Sequence, residues 1–161
     1  RIMLSKTLQD ALNKQIVEEL YSANLYMAMA YAMDGLGFSG CAHWLKKQSA
    51  EETAHAQEVG EFVIKRGGEV KLGAISAVKG TWKDPLTTFE EAYKHECHIS
   101  ECIHKLLDLA REHDDKPMQS FCWKFVEEQV EEEEVASGIV EMLRNMGNGT
   151  IFPLDHALGE R

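Results

Sequence analysis

Apolar residues recur along this chain at alternating spacings of three and four in four separate stretches, and glutamate interrupts each stretch near its middle. Leu12, Ile16, Glu19, Ala23, Tyr26, Ala30 and Met33 form one row, and Leu45, Gln48, Glu52, His55, Val59 and Phe62 a second. Phe89, Ala92, Glu96, Ile99, Ile103, Leu106 and Ala110 form a third; Met118, Phe121, Phe125, Glu128, Glu132, Val135, Ile139 and Met142 form a fourth. A mean step of about 3.5 residues marks the buried seam of packed helices, so the expected fold is all-α. An ionised carboxylate is costly to bury without a partner, and like charges in one layer add to the cost. Something positive is therefore expected among Glu19, Glu52, Glu96 and Glu132, and without it some of them are expected to stay protonated or repel one another, with raised pKa values. Carboxylate oxygens together with one imidazole, His55, suit iron, manganese or zinc.

Breakers and caps set the boundaries. Ser5 can cap a first helix that Gly35 and Gly37 stop, and a second runs from Phe38 or Ser39 to Lys65, ahead of Gly67 and Gly68. Residues 67–84 hold no sustained helical period and read as a crossover. Asp84 and Pro85, with Thr87 and Thr88 each three residues before a glutamate, start a third helix ending near His113. Asp115, Lys116 and Pro117 start a fourth, stopped by Gly147 and Gly149, and a short fifth follows. The expected helices cover about 5–34, 38–66, 86–113, 117–146 and 151–159, in one domain spanning 1–161. Short links make the first and last long pairs antiparallel. A helix of about 28 residues spans ~42 Å, and the crossover's roughly 18 residues reach ~60 Å when extended. The pattern is a four-helix bundle with one long crossover.

A net charge of −10 argues against nucleic acid as a partner and favours cations. No stretch approaches a membrane span and no charged leader precedes an apolar segment, so a cytoplasmic protein is expected. Cys41, Cys97, Cys102 and Cys122 have no CxxC spacing, which points to free thiols. His95, Cys97, His98, Glu101, Cys102 and His104 crowd the third helix. His98, Glu101 and Cys102 lie one turn apart but away from the apolar seam, and read as a solvated face. Glu127, Glu133 and Glu134 read the same way within an acidic run. Met27, Met29 and Met33 read as filler, and Trp44, Tyr31 and Met29 as outer apolar residues that neighbouring subunits cover. Arg1 and Ile2, ahead of Met3, read as additions before the natural start.

Glu19-Leu20-Tyr21, Tyr26, Glu51-Glu52-Thr53-Ala54-His55, Tyr93-Lys94-His95-Glu96 and Glu128-Gln129-Val130-Glu131-Glu132-Glu133 resemble the motifs of bacterial and archaeal non-haem ferritins. The resemblance covers essentially the whole chain, including helix spacing and loop lengths. It implies a ferritin-like bundle that stores iron in a hollow shell of twenty-four copies and oxidises Fe(II) with oxygen at a di-iron ferroxidase centre in each subunit. By the same resemblance, Glu19 and His55 bind the first iron and Glu52 bridges. Glu96 and Glu132 bind the second, Gln129 lies close to it, and Tyr26 hydrogen-bonds the centre. Glu51, Glu128 and Glu131 match an additional iron site of prokaryotic members. One helical turn separates Glu52 from His55, so both can face one ion whether or not the resemblance is used.

Haem-containing bacterioferritins carry a second ExxH on the fourth helix and a methionine after the bridging glutamate; here Gln129, Glu132 and Thr53 stand there, so no haem is expected. A rubrerythrin's cysteine-ligated iron domain is missing. Miniature ferritins that protect DNA place their metal between subunits. A structural bundle that nucleates mineral without oxidising iron, and a di-iron oxygenase acting on an organic substrate, are the other functions weighed. Replacing Glu52 by Gln is expected to stop oxidation and to leave the metal-free bundle at least as stable.

Overall fold

The structure, a computed structural model, describes residues 3–146 and 151–161. The expectations for Arg1, Ile2, Gly147 and Gly149 lie outside the described residues. Five helices follow in order: α1 (Lys6–Gly35), α2 (Ser39–Lys65), α3 (Pro85–Glu112), α4 (Lys116–Asn145) and the short α5 (Ile151–Leu158). Each long helix except α2 starts on a side-chain oxygen of its own preceding residue. Ser5 accepts from the Leu8 amide, Asp84 from Thr87 and Asp115 from Met118. Thr87 and Thr88, in the first turn of α3, bond back to Asp84 through their hydroxyls. Gly37 and Gly67 end α1 and α2 with φ of 88° and 76°, in the left-handed region that glycine enters without steric cost.

Cross-helix contacts fix the directions. Leu4 donates to the Arg66 carbonyl and Ser49 to the Ala23 carbonyl, so α1 and α2 run antiparallel. Arg144 on α4 reaches Glu90 on α3, and Ser100 reaches Glu133, so that pair is antiparallel too. The crossover closes the bundle over α1, where Asn13 donates to the Glu69 carbonyl and accepts from the Lys71 amide. At one end Arg66, following α2, meets Asp115, at the start of α4, through two bonds of 2.8 and 2.9 Å. The α2 and α4 seams there stack Phe62 on Phe121, ring centroids 4.2 Å apart.

The core is two apolar bodies rather than one. Tyr26, Met29, Met33, Leu45, Phe89 and Ile139 belong to the first; Leu12, Ile16, Val59, Ile99, Ile103 and Phe125 belong to the second. Between them lies a layer of buried polar side chains.

The seams expected on α1, α2 and α3 are the ones buried. On α4 the expected seam drifts off the core: Val135 and Met142 are exposed, while Cys122, Phe125, Gln129, Ala136, Ile139, Val140 and Leu143 are buried. A strict 3.5 step loses register against a helix of about 3.6 residues per turn over a run this long. Met29 and Trp44 are also inside the chain. Trp44 packs edge-on against Phe89, with the Arg161 guanidinium over its ring at 4.4 Å. Of the three residues expected to await a neighbour, Tyr31 alone is exposed.

Helix α2 lacks a local cap, because Phe38 offers no acceptor. Asp155 of α5 fills the role from far along the chain, its two oxygens accepting from the Gly40 and Cys41 amides at 3.2 and 2.8 Å. The approach requires glycine, since a Cβ at position 40 falls 1.6 Å from the Asp155 carbonyl oxygen. Gly40→Ala is therefore expected to lift α5 off α2. Hydrogen exchange should show lost protection over 151–158 and the first turn of α2, with the middle of the bundle unchanged; unchanged protection at α5 would contradict this account of its docking.

Candidate metal centre

The buried polar layer collects one turn from each long helix. Glu19, Glu52 and Glu96 are 1 to 2% exposed, although each is a carboxylate. Glu19, Glu52 and His55 each bring a ligand atom within 4.8 Å of the others. His55 Nδ1 lies 3.5 Å from Glu52 and 3.9 Å from Glu19. Its ring stands edge-on to Phe125, which limits its rotation. Glu96 approaches from α3, accepting hydrogen bonds from the Tyr26 hydroxyl and, at 3.1 Å, from the Gln129 amide. Glu132, half-buried, enters from α4 and is joined to Glu52 through Gln48, whose amide nitrogen donates to both carboxylates at 2.9 Å.

Glutamine amides hold the carboxylates of this site, and of the three only Gln48 stands on an expected seam. Gln15 donates to Glu19 at 3.0 Å, Gln48 to Glu52, and Gln129 to Glu96. Arg161 donates to the Gln48 carbonyl oxygen at 3.0 Å, which leaves the amide hydrogens for the carboxylates. Two of these pairs were visible as glutamine four residues before glutamate, one helical turn. Gln129 was expected beside the seam and instead lies on it, 4% exposed.

Among the described residues, Glu19 Oε2 is buried and finds no hydrogen-bond partner. An orphan carboxylate oxygen inside a protein is costly, and a cation bound by Glu19, Glu52 and His55 would satisfy it. Glu128 Oε2 is the other such atom, and it sits 3.3 Å from His55 Nε2. The donor set of carboxylates, imidazole and amide fits iron, manganese or zinc. Glu51 and Glu131 do not join Glu128 in a comparable cluster among the described residues. Both are exposed, and Arg161 holds Glu51 at 2.8 Å. Glu133, expected on a solvated face, is half-buried and accepts from Ser100 at 2.7 Å and from the Cys97 thiol.

Three of the four carboxylates are raised and one is lowered. Burial, then the Glu52 carboxylate beside it, pushes Glu19 well above the usual range. Burial and the charge of Glu52 lift Glu96 to about 8, and burial also lifts Glu132. Glu52 goes the other way: burial raises it, but His55 at 3.5 Å, the neighbouring Glu19 and the Gln48 amide outweigh burial and leave it lowered. His55 rises to about 9; burial opposes its charge, and the adjacent Glu52 outweighs that opposition. Without a cation the layer is thus an ionised Glu52 with a protonated His55, surrounded by carboxyls that resist ionising.

An all-helical bundle with one crossover, carrying carboxylate and imidazole ligands in its interior, defines the ferritin-like class of metal-handling bundles. Residues 9–146 match the ferritin family model, described as a ferritin-like domain. A bacterial non-heme ferritin from Bacteroides fragilis is 46% identical over 159 residues, covering 99% of this chain and 100% of that protein. One from Staphylococcus aureus is 32% identical over 161 residues, covering 99% and 97%. Among solved structures, an open pore ferritin from the hyperthermophilic archaeon Archaeoglobus fulgidus superposes with a TM-score of 0.95 at 39% identity, covering 98% of each chain. The chain belongs to the ferritin family, and iron storage with ferroxidase activity is the function that membership carries.

The pKa shifts fix a sign for the pH dependence of the metal-free protein. Glu96 and His55 bind their protons more tightly folded than unfolded. Their contribution is complete below their ordinary values of 4.5 and 6.5 and is lost as pH rises through about 8 and 9. The lowered Glu52 contributes in full above 4.5 and loses that contribution only below it, outside that window. The melting temperature of metal-free protein should therefore fall steadily between about pH 6 and about pH 9, and zinc should flatten the slope by replacing the protons. A metal-free melting temperature that rises over this range would contradict the assigned states.

Proposed function

We propose that the buried layer is a ferroxidase centre that takes two Fe(II) ions per subunit as substrate, oxidises them with oxygen and passes ferric product to a mineral store. Glu19, Glu52 and His55 hold the first ion. Glu52 bridges to the second, which Glu96 and Glu132 complete, with Gln129 beside it and Tyr26 orienting Glu96. The observation that carries this reading is the unpaired, buried Glu19 oxygen within ligand distance of Glu52 and His55. A bridging carboxylate keeps two irons close enough for one oxygen molecule to take an electron from each, and oxygen ligands favour the ferric product.

Glu128, set against the outer nitrogen of His55, belongs to an additional iron site. Glu51 and Glu131 complete it when iron draws them in. Residues 1–161 act as one domain, and the mineral store is the interior of a closed homo-oligomeric shell, which the family resemblance puts at twenty-four subunits. Exposed Tyr31, Ile64, Leu72, Val130 and Phe152, between 59 and 68% accessible, are apolar surface that a lone subunit leaves in water. Four unpaired cysteines suit the reducing cytoplasm. Among the described residues, no helix is long and apolar enough to cross a membrane.

Stopped-flow mixing of metal-free protein with Fe(II) and oxygen should show a fast phase that saturates at about two irons per subunit, one for each half of the ligand set. A rate no faster than that of iron in buffer would rule out the centre. Mass measurement on dilute protein should find one large closed species. A stable monomer of 18.2 kDa would remove the shell and the store together.

Glu96→Gln separates activity from stability. It deletes a ligand while retaining an acceptor for Tyr26, so oxidation should slow by at least about 10- to 100-fold. The metal-free variant should gain ~1 to 4 kcal/mol near pH 8, because a carboxyl that burial makes reluctant to ionise has been replaced by a neutral amide. Glu52→Gln should also stop oxidation but bring no such gain, since Glu52 is the carboxylate that His55 stabilises. Parent-like oxidation in a destabilised Glu96→Gln protein would make Glu96 a structural residue.

A further inference from the structure

A second cluster of metal-binding side chains lies outside the buried layer, on the face where α1 and α3 meet. His98 and Cys102 are one turn apart on α3, and they turn toward Glu18 of α1 rather than toward Glu101, the neighbour that spacing along the helix suggested. His98 Nε2 stands 3.2 Å from Glu18 Oε2 and 3.6 Å from the Cys102 sulfur. All three ligand atoms fall within 4.8 Å of one another. The group sits in a cleft of about 280 Å³ that Lys14, Gln15 and Lys105 also line.

We propose that Glu18, His98 and Cys102 form a second cation site, for a borderline divalent ion of the zinc class, separate from the di-iron centre. The ligand set is what such ions prefer: one thiolate, one imidazole and one carboxylate, with water in the fourth position. The spacing also fits. A tetrahedral zinc ion with ordinary bond lengths sets its sulfur, nitrogen and oxygen ligands roughly 3.4 to 3.6 Å apart, close to the 3.2 and 3.6 Å that separate the His98 nitrogen from the carboxylate oxygen and the sulfur. The charges balance, because the carboxylate and the thiolate neutralise the dication once the thiol has released its proton to solvent. His98 is half-exposed, so an ion reaches the cleft directly from outside.

The position matters as much as the ligands. Gln15 lines this cleft and donates to Glu19, so a cation held by Glu18 lies one side chain away from a proposed iron ligand. Cys102 is the only one of the four cysteines in this cluster. Cys41 and Cys122 are buried in the two core bodies, and Cys97 bonds Glu133 on the α4 side.

Cobalt(II), added to the assembled, metal-free protein under a non-thiol reductant, tests the assignment without using iron oxidation as the readout. Cobalt bound to a thiolate absorbs in the near ultraviolet by sulfur-to-metal charge transfer, whereas the carboxylates and imidazole of the buried layer give no such band. The parent should show this band at one equivalent per subunit beyond what the buried layer takes up, and zinc should bleach it. Cys102→Ser should abolish the band, Cys97→Ser should keep it, and Glu18→Gln or His98→Ala should weaken cobalt binding at least about tenfold. Iron oxidation should survive in Cys102→Ser, which also shows that the variant folds and assembles. No band in the parent, or a band that persists in Cys102→Ser or vanishes in Cys97→Ser, overturns the site whatever the fate of the ferroxidase reading.

Discussion

Everything in this bundle is arranged around carboxylates kept dry. Glu19, Glu52 and Glu96 lie in a plane that cuts the apolar core into two bodies, and a plane of that kind weakens a small protein unless each oxygen is answered. Three glutamines answer one oxygen of each without adding charge, and Gln48 also reaches Glu132. Neutral donors are suited to this task, because they hold the carboxylates in place without competing with an incoming cation. His55 is the exception, and it pairs with the one glutamate whose ionisation is favoured. The layer is built to remain electrostatically incomplete until metal arrives.

How much of this was written in the sequence depends on the range of the interaction. The α1, α2 and α3 seams and the positions of Glu19, Glu52, His55 and Glu96 follow from local periodicity, because a buried stripe repeats within one helix. The α4 seam was less legible. Its glutamate run offers several registers, and the buried face there is marked by small and amide side chains, Gln129 and Ala136, rather than by large apolar ones. Trp44 read as surface because nothing local announces that Arg161 and Leu158 come back to cover it. Glu18 escaped notice for the same reason: its partners are eighty residues away, and no helical pattern on α1 distinguishes it from a solvated glutamate.

The glutamate ladder on α4 shows how context divides one residue type into several roles. Glu128 turns to His55, Glu132 to Gln48, and Glu133 to Ser100 and Cys97, while Glu127 and Glu134 face solvent. Composition alone marks all of them as a charged face. Which helix each one meets decides whether it is a ligand, a brace or a solubilising charge, and that is set by the rotation of α4 about its axis. A drift of one position in the seam therefore changes the chemistry assigned to a residue without changing the fold.

The capping of α2 by Asp155 has a meaning in time. A ribosome delivers α2 long before α5, so the α2 start, with the Gly40 and Cys41 amides, waits uncapped through the synthesis of about a hundred further residues, several seconds at ordinary elongation rates. Arg161, which turns Gln48 toward Glu52 and Glu132, arrives later still. Asp155 and Arg161 thus complete the second helix and the hydrogen bonds around its carboxylates. A nascent or truncated chain that already holds four helices still lacks that orientation, which sets the finishing of the metal site after the packing of the bundle.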